Sequence, residues 1–154
     1  MAAAFVCALL LTLVVFVFAR DLPAQEKRRL AVLVAAPWEG ETVMSQDMFS
    51  MADALRQRGF APGEVVGLEG VLTRNVLLDF VANAGRRIAT WDRGDVVFFL
   101  SGHGTFSGTT VADARPGVRL SGDGLAADYE VFWDEIFAAL RIPNRVRLIV
   151  LPDT

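Results

Sequence analysis

From Arg29 onward, short apolar runs alternate with segments whose apolar residues recur at spacings of three and four. This is the pattern of strands interleaved with amphipathic helices, and it predicts an α/β layer architecture. Leu30 to Ala35 reads as a first strand, ended by Pro37 and Gly40. Ser45 is a candidate N-cap for a helix carrying Met48, Met51, Ala52 and Leu55, which Gly59 stops. Glu64 to Leu68 is a second, shorter strand. Thr73 caps a longer helix with the apolar face Leu77, Phe80, Val81, Ala84, Ile88 and Trp91. Val96 to Leu100 is a third strand, and Phe106 to Asp128 is loop with room for a short hairpin. Phe132, Trp133, Ile136, Phe137 and Leu140 mark a third helix, and Val146 to Leu151 a fourth strand. The strands are apolar throughout rather than alternating, as strands buried on both faces of a parallel sheet are. No internal repeat is present.

The residues before Arg29 break this pattern. Ala2 to Ala19 contains no charge and a single polar side chain, Thr12. That length suits either a secretory hydrophobic region or a short membrane span. Val17-Phe18-Ala19 is a weak cleavage signal, Met1 is followed by no Lys or Arg, and Arg20, Lys27, Arg28 and Arg29 crowd the far flank, which opposes simple export. Residues 1–19 are therefore expected to be a signal peptide or membrane anchor, 20–28 a linker, and 29–154 one domain. The domain is then extracytoplasmic (secreted or periplasmic) or membrane-anchored, touching the membrane through the N-terminal segment if that segment is not cleaved.

Composition removes several function classes. A net charge of −3, with fifteen scattered Lys and Arg, offers no basic stripe for phosphate backbones, so nucleic acid is not an expected partner. The single cysteine, Cys7, lies in the N-terminal apolar stretch. The domain thus holds no internal disulfide and no thiol nucleophile, and with one histidine a zinc site is not expected. No Gly-rich phosphate motif and no Gly-x-Ser-x-Gly elbow occurs.

The one histidine is the most informative residue. Asp95-Val96-Val97-Phe98-Phe99-Leu100-Ser101-Gly102-His103-Gly104 delivers it between glycines off the end of an apolar strand. Imidazole changes charge near neutral pH, and flanking glycines let another backbone approach closely. In doubly wound sheets ligands sit at the C-terminal strand ends, near a switch in strand order. Asp153 also sits at such an end, and with the third and fourth strands adjacent the two residues become neighbours. Trp38 and Glu39 follow the first strand and either line the same crevice or lie on a solvated loop. Asp153 by itself also fits an ordinary turn after Pro152, and Gly104 ordinary turn punctuation.

Taken in order, Ser45-Gln46-Asp47, Gly59-Phe60, Leu72-Thr73-Arg74-Asn75-Val76, Gly94-Asp95, Ser101-Gly102-His103-Gly104 and a strand into Asp153-Thr154 resemble the N-terminal two thirds of a caspase-like cysteine peptidase domain, closest to the metacaspase-type branch. The resemblance spans roughly Arg29 to Thr154 and rests on the joint order of the motifs. It implies an incomplete three-layer caspase-like α/β fold with a mostly parallel central sheet flanked by helices.

It also implies roles. His103 is the general base, Gly104 supplies an oxyanion N–H, and Asp153 lies in the pocket for the substrate residue before the cut, favouring Arg or Lys. The nucleophilic Cys is implied directly after Thr154, so the chain as it stands is expected to be inactive. The partner is a peptide or protein substrate, and no cofactor is implied. Asp47 matches an acidic residue of the family's first helix, though a carboxylate near a helix start needs no function. Asp113, Asp123, Asp128 and Glu130 are dispersed where the family often has a dense acidic stretch, which counts against calcium activation. Two other readings stay open: a non-catalytic caspase-like interaction module, and an unrelated doubly wound domain binding a small ligand.

Overall fold

The computed structural model describes residues 28–121 and 129–154. The N-terminal segment and most of the expected linker lie outside the described residues, as do Asp123 and Asp128. Among the described residues six strands form one mixed sheet, and three helices flank it. The strands are β1 (Arg29–Ala36), β2 (Val65–Glu69), β3 (Gly94–Ser107), β4 (Arg115–Arg119), β5 (Glu130–Phe132) and β6 (Val146–Asp153). The helices are α1 (Val43–Gln57), α2 (Arg74–Ile88) and α3 (Trp133–Leu140).

The parallel part runs β2-β1-β3-β6, and the far end of β3 turns back through β4 and β5 as antiparallel strands. β1 is apolar at every position after Arg29 because both its faces are covered. Leu30, Val32, Val34 and Ala36 pack with Leu77, Val81 and Ile88 of α2 and with Ile136 and Leu140 of α3. Ala31, Leu33 and Ala35 pack with Met48, Ala52 and Leu55 of α1. β3 divides the same way: Val96, Phe98 and Leu100 face α2 and α3, while Val97 and Phe99 face α1. With side chains alternating along a strand, Ser101 and His103 fall on the α1 face.

The element boundaries differ from the sequence pattern in several places, of which four bear on the site and its supports. α1 starts at Val43, with Thr42 at the N-cap position, so Ser45 is inside the helix and caps nothing. The chain leaves the turn after β1 and winds directly, Gln46 N–H bonding to Thr42 O at 3.1 Å. Asp47 consequently lies beyond the first turn, where the helix dipole has little hold on it. α2 ends at Ile88, and Trp91 packs against Gly94 instead of extending the helix. β3 continues to Ser107, seven residues past Leu100, because β4 supplies backbone partners from His103 to Ser107. β6 reaches Asp153 through Pro152, tolerated because β6 pairs only with β3 among the described strands.

The anticipated cap at Thr73 is present, its Oγ1 accepting from Val76 N–H. Arg74 then ties α2 to the start of α3. Its guanidinium donates to both oxygens of Glu135, at 2.8 and 2.5 Å, and to Glu130 O at 3.0 Å. Glu135 Oε2 also accepts from Phe132 N–H, the N-cap of α3. One carboxylate thereby serves as helix cap and as ion-pair partner, and its pKa is lowered to about 2, first by the Arg74 hydrogen bonds. At the other end of this helix pair, a Cβ on Gly85 would lie 2.6 Å from Leu140 O, so only glycine lets the two backbones meet there.

Candidate functional site

The strand order makes the site. From β1 the chain crosses to β2 on one side, and from β2 it passes over to β3 on the other side of β1. The order therefore reverses between β1 and β3, and at such a point the connecting loops diverge and leave a crevice beyond the C-terminal strand ends. The loop after β1 meets β3 in that crevice at His103, which does not come off a strand end as the sequence suggests but lies inside β3, paired with Arg119, because β4 continues the ladder past the parallel part of the sheet.

The loop is shaped by Gly40. Its φ of +84° is the sign required at the third position of a type II turn. Glu41 N–H closes this turn on Trp38 O at 3.1 Å, and Trp38 N–H donates to Glu41 Oε2 at 2.8 Å. The turn thus holds the Glu41 carboxylate against the Trp38 backbone. Trp38 and His103 stack, with ring centroids 3.6 Å apart and an interplanar angle of 27°. The indole N–H of Trp38 points to Arg119 O at 3.4 Å, linking the loop to β4.

His103 Nε2 lies 2.9 Å from Glu41 Oε2 and 3.0 Å from Oε1. Glu41 has its pKa lowered, chiefly by the hydrogen bond from His103 and then by the Trp38 N–H, against an opposing desolvation. An ionised carboxylate only accepts, so Nε2 carries the proton and, in the neutral ring, Nδ1 keeps the lone pair. Both side chains are partly open to solvent, 32% for His103 and 37% for Glu41.

The β6 side of the crevice is set by register. Ser101 pairs with Asp153, and Ser101 Oγ donates to Asp153 Oδ2 at 2.9 Å. Ser101 is buried and its carboxylate partner is exposed. Ser101, His103 and Asp153 share the α1 face of the sheet, consistent with Ile149 of β6 packing on that side. Gly104 is exposed and abuts Thr154: a Cβ built on it would stand 3.6 Å from the Thr154 Cβ.

The sequence-predicted residues His103, Gly104 and Asp153 thus gather at the C-terminal end of the β3–β6 pair. Trp38 joins them, while Glu39 projects at the exposed tip of its turn. The carboxylate that reaches the imidazole is Glu41, which the sequence reading passed over. A Trp-Glu-Gly-Glu turn with glycine third was the available signal, because it folds the fourth residue back onto the first.

Glu130 belongs to a different network. It accepts from Arg119 at 2.7 Å and from Thr105 Oγ1 at 3.1 Å, and Arg119 is the main cause of its lowered pKa. Asp113 binds the Thr109 and Thr110 groups of the β3–β4 turn. Among the described residues no group of three or more His, Cys, Asp or Glu is placed to hold a metal ion. No helix among them is long and apolar enough to cross a membrane. No protein-family model matches the chain, and no curated protein matches it in sequence.

Proposed function

We propose that this domain is the base-bearing part of a caspase-like cysteine endopeptidase, of the metacaspase type, that cleaves after Arg or Lys and is targeted to a membrane or exported by residues 1–19. The observation that carries this reading is the register of β3 and β6. Ser101 stands opposite Asp153, so two further steps along both strands bring the position after Thr154 level with His103, on the same face. Paired strands lie about 4.8 Å apart. A cysteine at that position would have its thiol beside the imidazole, as nucleophilic catalysis requires.

The chemistry then runs as an acyl transfer. His103 Nδ1 takes the thiol proton, the thiolate sulfur attacks the scissile carbonyl carbon, and the oxyanion forms near the Gly104 backbone. Collapse breaks the C–N bond, and the imidazolium gives its proton to the departing amine. Water, deprotonated by the same imidazole, hydrolyses the thioester. Asp153 is the anionic group for a substrate guanidinium or ammonium, with Ser101 fixing its carboxylate.

The test begins with the natural coding sequence beyond Thr154 and continues with the full-length protein on fluorogenic peptides. A cysteine in the next position, cleavage after Arg or Lys, and a loss of about 100- to 10,000-fold in His103→Ala support the reading. A different residue there, with no cleavage by the full-length protein, rejects the peptidase and favours a non-catalytic interaction module.

A further inference from the structure

A histidine that handles protons for another group needs one ring nitrogen protonated and held, so that the other presents its lone pair in a fixed direction. In this chain the holding partner is a side chain on a different element. Glu41 receives Nε2–H with both oxygens within 3.0 Å. It is itself held by the Trp38 N–H across the Gly40 turn, and the Trp38 ring lies against the imidazole. Ring plane, tautomer and acceptor are thus set together by four consecutive residues of one loop.

The other charged groups around the ring are engaged elsewhere. Arg119, opposite His103 in the β3–β4 register, pairs with Glu130 at 2.7 Å. Asp153, from β6, accepts from Ser101. Glu41 is the carboxylate in contact with His103 among the described residues.

We propose that Glu41 is the positioning residue for His103. It fixes the Nε2–H tautomer, directs Nδ1 toward the β6 strand end, and supplies the compensating negative charge when Nδ1 takes up a proton. The catalytic consequence rests on the peptidase reading; the pairing and the tautomer do not.

Because His103 is the only histidine, its ring nitrogens are read without ambiguity in the full chain labelled with nitrogen-15. With the ring neutral, the wild type should show two widely separated ring-nitrogen shifts, of a single Nε2–H form, with a slowly exchanging downfield ring proton. In Glu41→Ala the shifts should converge toward those of a mixture of tautomers and the ring proton should vanish. Glu41→Gln retains an acceptor oxygen and should keep the single tautomer. A wild-type ring that is already mixed, or one unchanged in Glu41→Ala, overturns the proposal.

In the full-length protein, Glu41→Ala should lower kcat about 10- to 100-fold with KM within about twofold, and Glu41→Gln should fall between. An active protein indifferent to both substitutions also overturns it. A protein inactive in every form rejects the peptidase reading, and the ring spectra then decide the Glu41 pairing by themselves.

Discussion

Ser101 and Asp153 face one another across the β3–β6 pair, a buried hydroxyl donating 2.9 Å to a carboxylate at the rim of the crevice. The serine is the buried polar side chain among otherwise apolar core positions, and its bond holds the acid in place. Ser101→Ala should lower stability by about 1 kcal/mol, the usual net worth of such a hydrogen bond, measured as a shift in urea midpoint.

Asp153→Asn separates holding from charge. The amide oxygen still accepts from Ser101, so thermal stability should be nearly unchanged. In the full-length protein kcat/KM for Arg and Lys peptides should fall about 10- to 100-fold, because the substrate cation loses a charge-assisted hydrogen bond. An intact Arg preference in Asp153→Asn removes Asp153 from the specificity pocket.

Glu135 makes the fold sensitive to acid. Its carboxyl titrates at about 2 in the folded protein against an ordinary 4.5, so between those values the unfolded chain binds the extra proton and stability drops as pH falls. The contribution is fully present above about pH 4.5 and is lost on acidification toward pH 2. Asp113, Glu130 and Glu41 have their pKa values lowered too, and add in the same direction. Glu135→Gln should lower stability at neutral pH and flatten its fall between pH 5 and 3, followed by circular dichroism across a pH series. A slope identical to wild type would show that the Arg74–Glu135 contact contributes nothing to acid unfolding.

Two glycines should respond oppositely to alanine. At Gly85 the added methyl would stand 2.6 Å from Leu140 O and 2.9 Å from Ala139 O, both backbone atoms, so α2 and α3 must separate. A loss of about 1–3 kcal/mol is expected, the range for overpacking a core. At Gly63 nothing lies within 4 Å and the backbone is one alanine adopts, so Gly63→Ala should be neutral or slightly stabilising. Paired thermal melts of the two variants check this.

Much of the fold was readable from the chain because it depends on periodicity. The unbroken apolar run of β1 and the stripes Leu77, Val81, Ile88 and Met48, Ala52, Leu55 state which elements form and that the sheet is covered on both faces. The placement of Asp153 at a strand end was legible for the same reason, as was the neighbourhood of His103 and Asp153 on adjacent strands, although His103 lies within β3 and not at its end. What periodicity could not carry was any contact between elements remote in sequence. The extension of β3 to Ser107 depends on β4 arriving as a partner, and nothing in Ser-Gly-His-Gly-Thr favours a strand by itself. Glu41 looked like one more loop carboxylate. Only the reversal of strand order between β1 and β3, with the turn at Gly40, brings it onto an imidazole 62 residues away. Hydrophobic patterning is a property of neighbours along the chain; the Trp38–Glu41 turn is local too, but the imidazole it meets is not, and that pairing exists only once the layers have packed.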